Sequence, residues 1–300
     1  MKPILTIFTP TYNRAHTLPR VYSSLVTQQN KQFIWLIVDD GSTDDTKNLV
    51  DKWIGEGKIE IRYVYQENKG MHAAHNTAYA LIDTELNVCI DSDDYLAEDA
   101  VETIITFWRK HGNNKYAGMV GLDATLNSEV IGTALPNIKA STLSDLYSVH
   151  KVKGDKKLVY RTELTSKVPA YPIFEGEKYC PLAYKYILID QHAPLLILNK
   201  VLCHVEYQTD GSSFNIIHQY KRNPKGFAFF RVVAMKYAPT YTKRFRESIH
   251  YVSSNIMLKN KNFIKQSPCK ITTILSTPCG ILLFLFLKWT KKSTFMKGYS

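Results

Sequence analysis

The chain has 300 residues, a formal net charge of +11 and 45% hydrophobic residues, which indicates a globular protein of one large domain, or one domain with an appendage, and excludes a disordered chain. Its five cysteines are widely scattered, so they give neither a disulfide framework nor a CxxC metal pair. No charged-then-apolar leader opens the chain, and a reducing, cytoplasmic setting is therefore expected.

The basic charge is unevenly distributed along the chain. Residues 201–300 contain 16 Lys and Arg against 3 acidic residues, whereas the first 200 residues contain 22 against 24. The excess of positive charge thus belongs to the C-terminal third. An anionic partner is expected for that part, with membrane lipid and nucleic acid as the two alternatives.

Strand and helix patterns alternate four times in the first 110 residues. Strands are predicted at 4–8, 33–38, 59–65 and 86–90, and helices at 18–29, up to about 53, at 71–82 and at 96–110. Ser42 or Thr43 is the predicted N-cap of the second helix. Strands this apolar are buried on both faces, which predicts an α/β fold with a mostly parallel sheet flanked by helices.

Three of the predicted strands end in polar groups: residues 9–14, Asp39-Asp40, and the acidic motif Asp91-Ser92-Asp93-Asp94. In open parallel sheets the ligand crevice lies at the carboxyl ends of the strands. The fold would therefore gather these three segments at one edge, which predicts a binding site there.

The acidic motif places three carboxylates within four residues, and like charges this close resist burial unless something compensates them. A divalent cation is such a compensation, because Mg2+ and Mn2+ prefer carboxylate oxygens and are often shared with substrate phosphates. The alternative is a polar turn in which Asp94 caps the helix at 96–110. The two other polar strand ends favour the metal site.

Other nucleotide and catalytic motifs do not account for the pattern. There is no Walker loop, the dinucleotide fingerprint at 55–60 lacks its last glycine, and no GxSxG elbow is present. His72 and His75 lie three residues apart on a predicted helix, and without a third ligand they are interpreted as a polar face near a ligand.

Four ordered blocks carry a resemblance to a known family: Thr9-Pro10-Thr11-Tyr12-Asn13-Arg14, Val38-Asp39-Asp40-Gly41-Ser42-Thr43-Asp44, Asn68-Lys69-Gly70 with Ala74 and Asn76, and the acidic motif. The chain resembles the family-two inverting glycosyltransferases, which use nucleotide-sugar donors and adopt the GT-A fold. The likeness is strong over about the first 110 residues and looser over 111–215. It implies a GT-A domain at 1–215, followed by a basic, mainly helical C-terminal region at 216–300.

The resemblance also implies roles for individual residues. The implied donor-binding residues are Pro10, Thr11, Tyr12, Asn13, Arg14, Asp40, Lys69, Gly70, Asn76 and Asp91. Among them, Asp40 would accept a hydrogen bond from the base edge, and Asp91 would lie near the ribose. Asp93 and Asp94 would hold a divalent metal, Mn2+ or Mg2+, that neutralises the leaving diphosphate. His75 stands where many relatives have arginine.

An inverting transfer needs a general base for the acceptor hydroxyl. The family uses a carboxylate in a Glu-Asp pair, and the corresponding segment at 172–179 has no Asp. Glu177 is the predicted base, with Glu175 next, and the alternative is that both are solvated loop charges. Farther on, Asp210-Gly211-Ser212-Ser213 is interpreted as closing over the donor phosphates or as an ordinary turn.

The C-terminal region offers two further signals. Gln219-Tyr220-Lys221-Arg222-Asn223 approaches the Gln-x-x-Arg-Trp signature of processive synthases but lacks the Trp, which favours transfer of one sugar per visit. Residues 271–287 are the most apolar stretch, close to the minimum length of a spanning helix, and Pro278 and Gly280 are expected to break it. Flanking lysines favour a segment at the cytoplasmic face of a membrane, and the alternative is a buried core helix.

Together these patterns predict a metal-dependent, inverting, non-processive glycosyltransferase. It would move a sugar from a nucleoside-diphosphate sugar to a hydroxyl of a glycan or lipid-linked acceptor in surface polysaccharide synthesis. Its predicted place is the cytoplasm, peripheral to the inner face of the cell membrane, with an anionic membrane surface as partner and no nucleic acid. The alternatives are a sugar nucleotidyltransferase and a non-enzymatic protein that binds nucleic acid through its basic C-terminal third.

Overall fold

The computed structural model describes residues 2–206 and 216–290, and in these residues nine strands form one sheet. The strands are β1 (Leu5–Thr11), β2 (Phe33–Asp39), β3 (Ile61–Tyr65), β4 (Leu86–Cys89), β5 (Tyr95–Leu96), β6 (Gly118–Ala124), β7 (Ala140–Ser141), β8 (Lys156–Arg161) and β9 (Leu195–His204). Their order across the sheet is β3-β2-β1-β4-β8-β6-β9-β5, and β7 pairs with β9.

Helices cover the sheet and make up the end of the described chain. They are α1 (Leu18–Thr27), α2 (Thr46–Glu56), α3 (Met71–Leu81), α4 (Ala100–His111), α5 (Leu143–Ser148), α6 (Thr162–Lys167), α7 (Ala183–Asp190), α8 (Ile216–Arg222), α9 (Pro224–Lys236), α10 (Tyr241–Met257), α11 (Phe263–Gln266) and α12 (Lys270–Trp289). The predicted α/β class with a helical C-terminal region is confirmed.

The first half of the sheet is parallel, as predicted. β1 pairs in parallel with β2 and β4, and β2 pairs in parallel with β3. β1 and β2 are buried along their whole length because helices lie on both faces. Leu5, Ile7 and Trp35 pack with α1, α2 and α4, whereas Phe8 and Leu36 pack with α3 and α7 on the other face.

The second half of the sheet is mixed, which corrects the prediction of a mostly parallel sheet. β8 lies antiparallel between β4 and β6, and β5 and β7 are both antiparallel to β9. β6 and β9 are the parallel pair in this half. Apart from β5, these strands come from residues 111–215, where the family resemblance is looser. Their pairing is set by long-range contacts that a local pattern does not contain.

Two predicted helix starts are wrong. Residues 95–96 form β5 against β9, so the following helix begins at Ala100 with Asp99 as its N-cap, and Asp94 caps nothing. The N-cap of α2 is Asp45, and the Asp44 carboxylate accepts the backbone N–H of Thr46 at 3.1 Å. Ser42 instead accepts the backbone N–H of Asn13 at 2.8 Å, which ties the loop after β1 to the loop after β2.

The C-terminal helices pack onto the sheet-covering helices through α9. Phe230 and Ala234 of α9 join the same core cluster as Ala78 of α3 and Tyr184 of α7. α12 lies along α10, and it continues through Pro278, so the predicted break there is wrong. By length and composition α12 is the one helix among the described residues that would suffice to cross a bilayer. The division into domains at residue 215 stays a prediction.

Gly70, the residue before α3, holds a backbone conformation that other residues avoid. Its φ is +92°, and a Cβ there would lie 2.0 Å from the carbonyl oxygen of Lys178. Gly57, after α2, has a φ of +62° and no atom within 4 Å of its hypothetical Cβ. The two glycines therefore separate the effect of backbone strain from the effect of a steric clash.

We expect Gly57→Ala to lower the free energy of unfolding by about 1 kcal/mol, because only the left-handed conformation is penalised. Gly70→Ala should lower it by about 3 kcal/mol, because the loop at Lys178 must also move. Urea unfolding followed by circular dichroism measures both changes. Equal losses in the two variants would contradict the close approach of Gly70 to that loop.

Candidate functional site

A cleft of about 1150 Å3 opens at the carboxyl ends of the parallel strands. All three polar strand ends identified in the sequence contribute to its lining. The predicted site residues that line it are Pro10, Thr11, Tyr12, Arg14, Asp40, Gly70, Asp91, Asp93 and Asp94. The cavity is large enough for a nucleotide-sized ligand with a further group attached.

The end of β1 forms one wall of the cleft. Tyr12 is 49% exposed there, which leaves its ring available to a ligand. Asn13 does not line the cleft, because its side chain is turned to the neighbouring loop and its Oδ1 accepts the backbone N–H of Thr43 at 2.8 Å. Asn13 also has a φ of 53°, a conformation that asparagine tolerates better than most residues. Its role in this structure is to join the two loops.

Asp40, at the end of β2, organises the turn after β3. Its carboxylate accepts the backbone N–H groups of Lys69 at 2.9 Å and Gly70 at 2.7 Å, and the side-chain amide of Gln66 at 2.7 Å. The Lys69 side chain is exposed and lies outside the cleft lining. Asp40 thus fixes the position of the turn after β3. Its carboxylate already accepts three hydrogen bonds, and a nucleotide base would have to donate a fourth.

Two neighbouring residues of α3, His75 and Asn76, differ in their position relative to the cleft, and the donor-binding role of Asn76 stays a prediction. Asn76 lies outside the cleft lining and makes two hydrogen bonds of 2.8 Å with the backbone of Tyr171. His75 lines the cleft but is fully buried, and burial lowers its pKa to about 3. It is therefore neutral and edge-on to Phe8, with ring centroids 5.1 Å apart. His75 does not supply the positive charge of the arginine found in many relatives.

The acidic motif forms the floor of the cleft directly after β4. Asp91 is exposed, Asp93 is half-buried and Asp94 is 4% exposed. The backbone N–H of Asp94 donates to the carbonyl of Asp91 at 3.1 Å, which closes a tight turn. Arg20 of α1 donates to the carbonyl of Asp93 and pairs with Glu206 at 2.5 Å, so the turn is held from outside.

Two charged residues at this floor were missed by the sequence analysis, Lys157 of β8 and Asp123 of β6. The Lys157 ammonium lies 3.9 Å from Asp94 Oδ2 and 3.8 Å from Asp123 Oδ1, and all three side chains are nearly inaccessible to solvent. Burial alone would lower the pKa of Lys157, but Asp123 and the other carboxylates raise it well above its ordinary value, so the lysine stays charged. The one available signal was a lysine pair within an otherwise apolar strand.

The carboxylates around Lys157 remain under-compensated. Burial, with the nearby carboxylates, raises the pKa of Asp94 to about 8 although Lys157 opposes the shift. Burial raises the pKa of Asp123 to about 6, and burial together with Asp91 raises that of Asp93. Lys157 therefore lies between Asp94 and Asp123, and the charges of Arg14 and Arg20 only partly oppose the raised pKa of Asp93. This arrangement attracts a cation.

The donor set fits a divalent ion that is shared with a ligand. Within residues 2–206 and 216–290 no group of three or more His, Cys, Asp or Glu side chains is placed to hold a metal by itself. Mg2+ and related hard ions are commonly held by one or two carboxylates together with substrate phosphates. Asp123 Oδ1 has no hydrogen-bond partner although it is buried, which is consistent with a floor that is short of positive charge.

Neither predicted base lines the cleft. The Glu177 carboxylate accepts the backbone N–H groups of Lys225 at 2.8 Å and Gly226 at 2.9 Å, which are unpaired donors in the first turn of α9. The Glu175 side chain is exposed to solvent. The Glu177 carboxylate therefore caps the first turn of α9, and its role as the base stays a prediction. The predicted phosphate-closing segment, residues 210–213, lies outside the described residues.

Comparison with known proteins gives two kinds of similarity. Residues 6–126 match the model of "Glycosyl transferase family 2". A chondroitin synthase from Escherichia coli is 35% identical over 108 residues, which are 36% of this chain, and the match spans only 16% of that relative's length.

Solved structures resemble the chain over almost its whole length. Staphylococcus aureus TarS residues 1–349, solved with UDP-GlcNAc, has a TM-score of 0.61 at 18% identity, over 94% of this chain and 81% of TarS. The mannosyltransferase PcManGT from Pyrobaculum calidifontis, solved with GDP-Man and Mn2+, has a TM-score of 0.55 at 15% identity, over 97% and 89%. At these identities the likeness concerns the fold. Residues 6–126 are thus similar to glycosyl transferase family 2, and the fold of the chain is of the GT-A type.

Proposed function

We propose that the chain is a metal-dependent, inverting, non-processive glycosyltransferase. It moves a sugar from a nucleoside-diphosphate sugar to a hydroxyl of a glycan or lipid-linked acceptor. The observation that carries this proposal is that the acidic motif lines the same cleft as the ends of β1 and β2. A nucleoside can lie against those strand ends while its phosphates reach the carboxylates.

In this proposal different cleft residues bind different parts of the nucleotide-sugar donor. Pro10, Thr11 and Tyr12 line the nucleoside end, and Arg14 supplies a positive charge within the same cavity. Asp91 is the exposed carboxylate of the motif and lies nearest to solvent, which suits a hydrogen bond to the ribose. Gly70 leaves room for close approach of the donor, since no side chain projects from it.

Asp93 and Asp94 would hold the divalent metal, Mn2+ or Mg2+. When bound, this ion supplies Lewis-acid stabilisation of the leaving nucleoside diphosphate. Lys157 holds Asp94 from behind the motif, and the backbone N–H of Glu206 donates to Asp94 Oδ1 at 3.3 Å. Asp94 is therefore fixed in position by the protein before any ligand arrives.

The acceptor hydroxyl must lose a proton in an inverting transfer. The family resemblance implies that Glu177 is the general base that takes this proton. The position of Asp155 makes it a second candidate for the base. Asp155 lines the cleft and is exposed to solvent, where an acceptor can approach it.

We further propose that the enzyme acts in surface polysaccharide synthesis, in the cytoplasm at the inner face of the cell membrane. The E. coli relative named above is a chondroitin synthase, which supports a polysaccharide product. The basic C-terminal region supports an anionic membrane surface as partner, and no nucleic acid is involved in this proposal.

A donor screen tests the function. Thermal unfolding is measured with UDP, GDP and other nucleoside diphosphates and their sugars, each with and without Mn2+, since a bound ligand stabilises the native state by mass action. One base should raise the unfolding temperature, and Mn2+ should increase the rise. Nuclear magnetic resonance of the transferred sugar then gives the anomeric configuration. Absence of any stabilisation across the screen would overturn the proposal.

We expect Asp93→Asn and Asp94→Asn to raise the Mn2+ concentration needed for half-maximal stabilisation by the nucleotide by about tenfold or more. Asp91→Asn should change it far less, because Asp91 is assigned to the ribose. Unfolding of each variant without ligand is the control, and it separates a loss of metal binding from a loss of folding. Equal shifts in all three variants would show that the division of roles is wrong.

We expect Glu177→Gln to lower the free energy of unfolding by about 1–2 kcal/mol, because the amide cannot accept from both Lys225 and Gly226. Glu175→Gln is the matched control and should leave stability unchanged, since that side chain is exposed. Turnover by Asp155→Asn is measured in parallel. If Glu177→Gln keeps its stability and its kcat falls by about 100-fold or more, Glu177 is the base and the capping role is incidental.

A further inference from the structure

The outer surface of α12 is apolar along its whole length. Its exposed apolar side chains recur at helical spacing: Ile271 76%, Ile274 54%, Leu275 57%, Ile281 43%, Leu282 67%, Leu285 36%, Phe286 47% and Trp289 76%. A helix on the surface of a soluble protein has its apolar side chains on the inner face. A continuous apolar surface of this kind marks a site of interaction.

The inner surface of α12 is built of small and polar residues. Ser276 Oγ donates to Ser248 Oγ of α10 at 2.8 Å, and Thr273 Oγ1 lies 3.3 Å from the same hydroxyl. Gly280 allows close approach, because a Cβ there would lie 2.5 Å from Val252 Cβ. Small and hydroxyl residues at helix contacts are characteristic of helices packed in lipid. In α12 the apolar side therefore faces outward and the polar side faces the protein, which is the reverse of a surface helix that contacts water.

The charge around this surface selects the partner. Residues 216–290 contain 13 Lys and Arg and a single acidic residue, Glu247, which is buried in an ion pair with Arg231. Lys270 and Lys288 are exposed at the two ends of α12. An apolar strip between lysines, on a region with no exposed carboxylate among its described residues, complements an anionic lipid surface.

We propose that α12 docks in the plane of an anionic lipid bilayer. Its apolar strip enters the boundary between head groups and acyl chains, and Lys270 and Lys288 lie at the level of the lipid phosphates. The helix does not span the bilayer, because its other side is covered by α10 along the polar contact. A spanning helix would draw the buried Ser248 and the ion pair of Arg231 towards the hydrocarbon.

The docking surface is continuous with one side of the cleft. Gln219 and Arg222 of α8 line the cleft, while Lys221 of the same helix lines a shallow pocket with Phe284 and Lys288 of α12. A membrane under α12 therefore brings the lipid surface towards the cleft. The docking does not depend on the proposed activity, since it rests on residues outside the catalytic floor.

Trp289 reports on docking in the protein as it exists. It is 76% exposed, whereas Trp35, Trp53 and Trp108 are at most 4% exposed. The full-length chain is mixed with phosphatidylcholine vesicles, with and without phosphatidylglycerol, that carry brominated acyl chains. We expect flotation with the anionic vesicles and quenching of tryptophan emission that disappears in Trp289→Phe.

Leu282→Asp should weaken binding to anionic vesicles by about tenfold or more, because a carboxylate would enter the apolar boundary. Leu126→Asp is the matched control, since Leu126 is 45% exposed in a loop of another part of the molecule, and its binding should equal that of the unaltered chain. Alkaline carbonate should release the protein from the vesicles.

Three results would overturn the proposal. Vesicle binding without quenching of Trp289 would mean that the lysines bind lipid and the apolar strip does not. Resistance to carbonate would mean that α12 spans the bilayer. A lipid-free dimer that Leu282→Asp dissociates, with no vesicle binding by the unaltered chain, would mean that a second copy covers the strip.

Discussion

The charge balance at the floor of the cleft is the constraint on which the site depends. Asp91, Asp93, Asp94 and Asp123 converge there, and Lys157 is the cation that lies among them. A buried ammonium between two carboxylates is favourable only when its geometry is fixed, because each ion has lost its hydration. The result is an acidic floor that is partly neutralised and in which Asp94 is held in place. In the proposed function this floor holds a divalent ion.

The mixed half of the sheet places the charged residues of this floor next to one another. Lys157 belongs to β8 and Asp123 to β6, and the acidic motif follows β4. Because β8 lies antiparallel between β4 and β6, a residue near the start of β8 faces the carboxyl end of β4. A parallel strand in the same place would present its other end to the cleft. The antiparallel β8 therefore places a lysine beside the carboxylates, while the parallel half contributes the ends of β1 and β2 to the cleft.

The sequence predicted those features whose causes are local. Apolar strands buried on both faces and helices of regular spacing identified β1 to β4 and α1 to α3 within a few residues, and the polar strand ends located the cleft. Lys157 and Asp123 were missed because their significance arises only when β8 and β6 pair. Glu177 shows the same limit: a glutamate in a loop has the same local sequence whether it takes a proton or caps a distant helix, and its partners at 225–226 are nearly fifty residues away.

The composition of α12 does not determine which of its sides is buried, whereas its contact with α10 does. Its sequence is apolar enough for a core helix or a membrane helix, and Pro278 suggested a break. The contact with α10 decides between these outcomes, because Ser248, Thr273 and Ser276 satisfy one another at the buried side and leave the large apolar residues outside. If α12 turned its apolar side to the protein instead, Thr273 and Ser276 would face outward and the buried Ser248 of α10 would lose both partners. The helix therefore holds its small polar face against the protein and presents its apolar face, flanked by Lys270 and Lys288, on the outside, where we propose that it meets an anionic bilayer.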